Sequence, residues 1–113
     1  MIEHPPRDQV YRALGDSTRR GMLVTLRDGP ARITDIAGPL PMSFAAAARH
    51  VGVLGAAGLI EREVRGRDHW LTVRSAGFWP AEEWIAEQVS FWSVRADALA
   101  ARLERRDRPA DRP

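Results

Sequence analysis

The cationic chemistry of this sequence is carried entirely by arginine, because all 17 of its basic residues are arginine and none is lysine. A planar guanidinium group can hold a phosphate or a guanine with two parallel hydrogen bonds. Three arginines have neighbours that suit such contacts: Arg49 follows the alanine run Ala45–Ala48, and Arg65 and Arg67 flank Gly66. A GC-rich codon bias also enriches arginine, so composition alone does not decide between the two explanations.

The excess of positive charge is confined to the front of the chain. Residues 1–78 hold 11 arginines and 8 acidic residues, a balance of +3, whereas residues 79–113 hold 6 arginines and 7 acidic residues, a balance of −1. The net charge of the whole chain is therefore only +2. This asymmetry indicates an anionic partner on one side of the protein.

Other chemistries lack the residues that they need. The absence of cysteine excludes disulfides, thiolate metal sites and thiol catalysis. The three histidines, His4, His50 and His69, are scattered, and neither a glycine-rich phosphate loop nor an H-E-x-x-H pattern occurs. We therefore expect no enzyme, no cofactor and no metal site.

The sequence predicts no membrane partner. No apolar run approaches the ~20 residues of a membrane span, and the first ten residues lack the pattern of a signal peptide, so we expect a cytoplasmic protein. A chain of 113 residues is long enough for one small domain. We place this domain at residues 8–103 and expect a disordered charged tail at residues 104–113.

Capping residues and chain breakers predict a helix, a second helix, a short third helix, a fourth helix, a hairpin and a long last helix. The predicted helix caps are Asp8, Asp16 or Ser17, Thr34 and Ser43. Glycines predict the other boundaries: Gly58 in a left-handed conformation after the fourth helix, and Gly66 in the turn of the hairpin.

This order of elements is typical of a winged helix-turn-helix. The predicted fold class is mainly α (α+β), with about five helices and a two-stranded β-hairpin wing. The fourth helix, residues 43–57, would enter a major groove of DNA, and the hairpin, residues 59–73, would be the wing beside it.

Three segments resemble the arsenic-repressor (ArsR) family of bacterial regulators: ALGDSTRRGMLVTL (13–26), MSFAAAARHVGVLGAAGLIERE (42–63) and RGRDHWLTV (65–73). The family's typical run is A-L-x-D-x-T-R-R, then M-S-x-x-x-x-S-[KR]-H-L-x-V-L-x-x-A-G-L-[IV], then a wing with R-x-G-R. The match covers about residues 8–103. The long aromatic last helix resembles the cysteine-free branch, whose members lack metal ligands.

The resemblance implies a homodimer that binds a palindromic operator in double-stranded DNA and represses transcription. It also implies that one face of the fourth helix meets the bases, and on that face Ala48 stands where the family often has serine. On this face Arg49 would pair with a guanine, and the small side chains would touch thymine methyl groups. The residues expected to contact DNA are Thr34, Ser43, Phe44, Ala45, Ala48, Arg49, His50, Arg62, Arg65 and Arg67.

The last helix carries the pattern of a seam for another helix. Its apolar residues alternate at spacings of four and three, as helices that pack side by side require. The resemblance implies that the dimer is joined through the first and last helices. The residues expected at this interface are Val10, Tyr11, Leu14, Trp84, Ile85, Val89, Trp92, Leu99 and Leu103.

Several of these residues also have a structural explanation. His50 either contacts DNA or is held by a hydrogen bond to backbone at the edge of the core, and Arg19 and Arg20 are expected to pair with Asp16 or a carbonyl group. The group of Phe78, Trp79, Trp84, Phe91 and Trp92 either forms core and seam or lines a pocket for a small apolar effector. The alternative function is a winged-helix module that binds proteins and no longer binds DNA.

Overall fold

A computed structural model describes residues 6–107 of the chain as five α-helices and a three-stranded sheet. In chain order the elements are α1 (Pro6–Leu14), α2 (Ser17–Thr25), β1 (Ala31–Arg32), α3 (Ile33–Ala37), α4 (Phe44–Ala56), β2 (Ile60–Arg65), β3 (Asp68–Val73) and α5 (Trp79–Asp107). Short 3-10 turns follow α2 at Leu26–Asp28 and precede α5 at Ser75–Phe78. The predicted fold class, a mainly helical winged helix-turn-helix, is confirmed.

Side-chain caps fix the start of the two longer helices of the helix-turn-helix region. The carboxylate of Asp16 accepts hydrogen bonds from the backbone N–H groups of Thr18 and Arg19, at 2.8 and 3.1 Å. The hydroxyl oxygen of Ser43 accepts one from the N–H of Ala46 at 3.1 Å. Each side chain thereby satisfies amide groups that the helix itself leaves without a partner.

Two other predicted caps are wrong. Asp8 lies inside α1 (Pro6–Leu14), so it is not the N-cap of that helix. The N-cap of α3 is Arg32, which makes no side-chain capping bond, so Thr34 lies inside that helix. The side chain of Arg32 instead binds the carboxylate of Asp35, through Nε at 3.0 Å and Nη2 at 3.1 Å.

We expect the stability of the fold to depend on the charge of the Asp16 carboxylate that caps α2. The backbone N–H of Arg19 is the largest influence and holds the pKa of Asp16 below its usual 3.8. A carboxyl group whose pKa is lower in the folded state than in the unfolded state stabilises the fold at pH values above its unfolded-state pKa. This stabilisation is lost as the pH falls through the folded-state pKa. Asp16→Asn keeps the capping geometry and removes the charge.

We expect Asp16→Asn to unfold at a lower temperature than the parent chain near neutral pH. The two melting temperatures should converge as the pH is lowered through and below about 4. Thermal unfolding followed by circular dichroism at several pH values measures this difference. A gap of constant size across the acid range would contradict the role assigned to the charge.

The sheet has the strand order β1-β3-β2, with both pairs antiparallel. The hairpin of β2 and β3 was predicted, whereas β1 is an addition: its two residues pair with Leu71 and Trp70 at the base of the wing. Gly66 has a φ of +62° at the first central position of the hairpin turn. Glycine at that position is typical of a type II′ turn, which matches the twist of the strands.

One hydrophobic core joins α1–α4 to the base of the wing. Its largest fully buried side chains include Met22, Leu54, Leu59 and Leu71. Helix α4 contributes the inward face that its periodicity predicts, because Ala47, Val51 and Leu54 are at most 2% exposed. Val10 is also core, with 1% exposure. It has no surface left for a partner, so its predicted place in a dimer interface is wrong.

Two glycines make a close backbone contact where the chain enters α5. Gly58 has a φ of +76°, the left-handed conformation predicted for the end of α4. Gly77 lies so close to it that a Cβ atom on Gly77 would stand 1.9 Å from the carbonyl oxygen of Gly58. No side chain fits in that space, so the two segments can approach only through glycine.

A boundary after Glu82 divides the chain into two compact units. The second unit consists, in its described part, of α5 from Glu83 to Asp107. The helix therefore continues four residues into the segment predicted as a tail from residue 104, and residues 108–113 of that segment lie outside the described residues. Within residues 6–107, no helix has the length and apolar character needed to cross a membrane.

Candidate nucleic-acid interface

Helix α4 carries an exposed face with few polar groups. Phe44 is 55% exposed, Ala45, Arg49 and Gly52 are exposed, and Ala48 is half-buried. Arg49 is the strong hydrogen-bond donor of this face, and it makes no hydrogen bond or ion pair with any residue from 6 to 107. Its guanidinium group is therefore available to an external ligand.

Arg19 of α2 links α4 to the end of α1. Its Nε and Nη2 atoms donate to the carbonyl oxygens of Ala13 and Arg12 at the end of α1, at 2.8 and 2.9 Å. Its Nη1 atom lies 3.1 Å from Nδ1 of His50. The predicted structural role of Arg19, including its pairing with Asp16 at 3.8 Å, is confirmed.

Arginine has no acceptor atom, so Nδ1 of His50 is the acceptor in this contact. Of the two explanations for His50, a hydrogen bond at the edge of the core is therefore present, although its partner is a side chain rather than backbone. A contact of His50 with DNA stays a prediction.

One face of the wing is held together by charge pairs around Trp70. The register places Glu63 and Arg32 opposite Trp70 on its two neighbouring strands. Arg65 donates to Glu63 at 3.1 Å, and the guanidinium groups of Arg65 and Arg32 lie 5.6 and 5.8 Å from the Trp70 ring. The sequence reasoning missed this cluster, although the alternation in DHWLTV places Asp68 and Trp70 on the same face.

The pairing changes the electrostatics of this face. The hydrogen bond between Arg65 and Glu63 raises the pKa of the arginine and lowers the pKa of the carboxyl group. The same effect operates between Arg32 and Asp35, where the side-chain hydrogen bond raises the pKa of Arg32 and lowers that of Asp35. Arg65 and Arg32 thus each have a carboxylate partner on the exposed surface of the protein.

Two other wing arginines are exposed and without such partners. Arg62 lies opposite Leu71 on the second face of the hairpin, and Arg67 lies in the turn. Neither forms a hydrogen bond or ion pair with any of the described residues. The structure therefore separates the two arginines that flank Gly66, because Arg65 is held by Glu63 and Arg67 is available.

A small cleft brings the wing turn next to the starts of α3 and α4. Its volume is about 120 Å³. The residues that line it are Arg32, Ile33, Thr34, Phe44, Arg67, Asp68 and His69. Three residues predicted to bind DNA, namely Thr34, Phe44 and Arg67, are thereby placed together with His69.

The residues predicted for a dimer interface fall into two groups. In the first unit, Leu14 packs against the core, and the hydroxyl group of Tyr11 donates to the carbonyl oxygen of Ala81 at 2.9 Å. In the second unit, α5 exposes a row of large apolar side chains at spacings of three, four and seven residues. These side chains are Trp84, Ile85, Val89, Trp92, Leu99 and Leu103, all between 41 and 60% exposed.

The positions of the five aromatic residues do not support the predicted pocket for an effector. Phe91 and Trp92 contact each other edge to face, with ring centroids 5.1 Å apart. Phe78 lines a separate, largely apolar groove with residues of α1 and α2, and Trp79 is 67% exposed.

Among residues 6–107, no three histidine, aspartate or glutamate side chains lie close enough to hold a metal ion.

The known proteins to which this chain is similar include transcriptional regulators. The chain is similar to the crystal structure of an ArsR family transcriptional regulator, with 30% identity, a TM-score of 0.74, and coverage of 79% of this chain and 98% of that one. It is also similar to the homodimeric winged helix-turn-helix DNA-binding domain of a possible ArsR-family regulator from Mycobacterium bovis. That likeness, at 22% identity, a TM-score of 0.57 and coverage of 86% and 91%, shows the fold alone.

A sequence relative agrees with these structures over a shorter segment. An HTH-type transcriptional regulator of Mycobacterium tuberculosis is 38% identical over 53 residues. This match covers 47% of the chain and only half of the length of that relative. No protein-family model matches the sequence.

Proposed function

The chain belongs to the ArsR family of transcriptional regulators, and on this premise we propose that it is a homodimeric repressor that binds a palindromic DNA operator through α4 and the wing. Such a regulator works where the chromosome lies, which places it in the cytoplasm of a bacterium.

The observation that carries the proposal is the distribution of available arginines. Arg19, Arg32 and Arg65 are engaged by carbonyl groups, carboxylates or the Trp70 ring. Arg49 on α4 and Arg62 and Arg67 on the wing have no such partners among the described residues. Each of the two elements that a winged helix-turn-helix presents to a duplex thus carries at least one arginine that is available to a phosphate or a base.

The exposed face of α4 favours close approach to a major groove. Because Ala45, Ala48 and Gly52 have little or no side chain, the helix backbone can come near the base edges, and alanine methyl groups can meet thymine methyl groups. Arg49 is then placed to hold O6 and N7 of a guanine with its two donor groups. The remaining affinity is expected from phosphate contacts and groove shape.

Exposed apolar residues on α5 support the homodimer. A helix that presents this many large apolar side chains to water is stabilised when a second copy covers them. Ile85, Trp92 and Leu99 repeat at intervals of seven residues, as a helix-to-helix seam requires. In a dimer that binds a palindrome, the two α4 helices would read half-sites about one DNA turn apart, roughly 34–36 Å.

We expect Gly52→Ala to separate helix stability from DNA binding. A Cβ atom at position 52 would have no neighbour within 4 Å outside its own helix, so alanine should stabilise α4 by about 0.5–1 kcal/mol. The added methyl group would stand on the face that approaches DNA, so affinity should fall several-fold. Thermal unfolding and DNA titration of the same preparation measure the two effects.

Gly21→Ala is the matched control, because position 21 is exposed in α2 and equally free of neighbours. It should gain the same stability and leave DNA affinity unchanged. If both variants bind DNA as the parent chain does, the close approach of α4 at position 52 is contradicted.

Selection of bound duplexes from a random DNA pool tests the proposed function. A palindromic consensus with half-sites about one helical turn apart supports a homodimeric DNA reader. A pool that shows no enrichment at low salt would overturn it and favour a protein-binding module.

A further inference from the structure

An apolar groove lies among the end of α1, helix α2, the end of β3 and the turn that leads into α5. Its volume is about 540 Å³, and sites for small molecules typically enclose about 300–1,000 Å³. All of its lining residues precede the boundary after Glu82, so the groove belongs to one compact unit. The apolar residues that line it are Leu14, Leu23, Val24, Leu26, Val73 and Phe78.

The groove combines buried apolar side chains with exposed ones. Leu23 and Leu26 belong to the core, whereas Val24 and Val73 are 51% and 38% exposed. Phe78 is half-buried. A molecule that lay in the groove would remove the exposed apolar surface of these side chains from water, so the groove favours a ligand with an apolar body.

The charged residues that line the groove are two arginines. Nη1 of Arg20 donates to the carbonyl oxygen of Leu14 at 2.7 Å, which holds this guanidinium group at the end of α1. Arg27 forms no hydrogen bond or ion pair with any residue from 6 to 107. In the described part of the chain, no acidic residue lines the groove. Even with Asp28 counted, which follows Arg27 without pairing with it, the balance is +1.

Apolar walls beside two guanidinium groups have the chemistry that recognises an amphiphilic acid. A carboxylate accepts two parallel hydrogen bonds from a guanidinium group and is ionised near neutral pH. A wholly apolar ligand would leave the two arginines unused. A small hydrated anion would leave the exposed valine side chains in water.

We propose that this groove binds a carboxylic acid with an apolar body. Its carboxylate is held by Arg27 and Arg20. Its apolar part lies against Val24, Val73 and Phe78. The site is separate from the exposed face of α4 and from the wing turn, and a bound acid would contact α2, the end of the wing strand β3 and the turn that leads into α5.

Calorimetric titration of the full chain with octanoate tests the proposal. The comparison ligands are 1-octanol, which has the apolar chain without the charge, and acetate, which has the carboxylate without the chain. Octanoate should bind saturably, and 1-octanol about tenfold more weakly, because it lacks charge-assisted hydrogen bonds. Acetate should not saturate in the same range. Equal affinities for octanoate and 1-octanol, or no saturation with octanoate, would overturn the proposal.

Arg27→Gln should lower the affinity for octanoate about tenfold and leave the affinity for 1-octanol unchanged. Arg7→Gln is the matched control, because Arg7 is an exposed arginine of α1 that does not line the groove. It should bind octanoate as the parent chain does, and neither variant should change the melting temperature. An equal loss of octanoate affinity in both variants would reflect net charge alone and would overturn the site.

Val24→Glu supplies a carboxylate from the protein itself. Position 24 follows Arg20 by four residues and precedes Arg27 by three, so the new side chain can pair with both arginines. The variant should lose octanoate binding without a lower melting temperature.

A second copy of the chain is the other occupant that the groove could take. If sedimentation shows that Val24→Glu separates a dimer into monomers, and the parent dimer does not bind octanoate, the groove is an interface and the proposal is overturned. These titrations contain no DNA, so their failure leaves the proposed function standing.

Discussion

Gly77→Ala is expected to lose about 3 kcal/mol of folding stability. The new Cβ atom would lie 1.9 Å from the carbonyl oxygen and 2.7 Å from the carbonyl carbon of Gly58. Both are backbone atoms, so no rotamer change can relieve the clash. The chain must shift either at the turn after α4 or at the entry to α5.

Thermal unfolding measures this loss. In a domain of this size, about 3 kcal/mol corresponds to a fall in melting temperature of roughly 12–24 °C. Gly55→Ala is the control, because a Cβ atom there meets nothing within 4 Å and α4 should gain about 0.5–1 kcal/mol. A Gly77→Ala variant that melts with the parent chain would show that the two segments do not meet as described.

Arg49→Ala is expected to remove discrimination at one base pair in each half-site. A bidentate contact between arginine and guanine supplies about 1–3 kcal/mol of discrimination, roughly 5- to 150-fold per base pair. The variant should therefore bind the selected operator and its mutants at that base pair with similar affinity. Competition titrations with the consensus duplex and its point variants measure the ratio.

Arg67→Ala is the contrasting variant, since a phosphate contact carries no base information. It should weaken binding to every duplex by a similar factor and leave the preference for the consensus unchanged. If Arg49→Ala weakens all sequences equally and retains the preference at every position, Arg49 does not read a base.

Sequence patterns that depend on a few neighbouring residues predict most of the fold. The caps at Asp16 and Ser43 and the left-handed Gly58 depend on residues within one helical turn of themselves, so the sequence suffices to predict them. The inward face of α4 follows from its 3.6-residue period. The same rules did not give β1, because two residues are too few to carry a strand pattern and their pairing depends on β3.

Apolar periodicity does not distinguish a core residue from an interface residue. Val10 has the spacing and side chain of either, and only the packing of α1 against the other helices shows that it is core. Gly77 is a similar case. Its need for glycine comes from Gly58, which is distant in sequence, so no local signal could reveal it.

The wing shows where the candidate site could have been predicted better. In the sequence, Arg65 and Arg67 look equivalent, because each is a cation next to Gly66. Strand alternation puts Arg65 on the same face as Glu63, so their pairing at 3.1 Å was accessible from the sequence. The cleft was not accessible, since it depends on how the wing meets the starts of α3 and α4.

Fluorescence anisotropy of a labelled duplex, titrated with the purified chain at different salt concentrations, tests most directly whether the available arginines bind DNA. A dimer offers two copies each of Arg62 and Arg67 to phosphates, so about four phosphate contacts should release counterions. The affinity should then fall about a hundredfold or more between about 50 and 200 mM salt. Binding that is absent at low salt, or that does not change across this range, would contradict the proposed function.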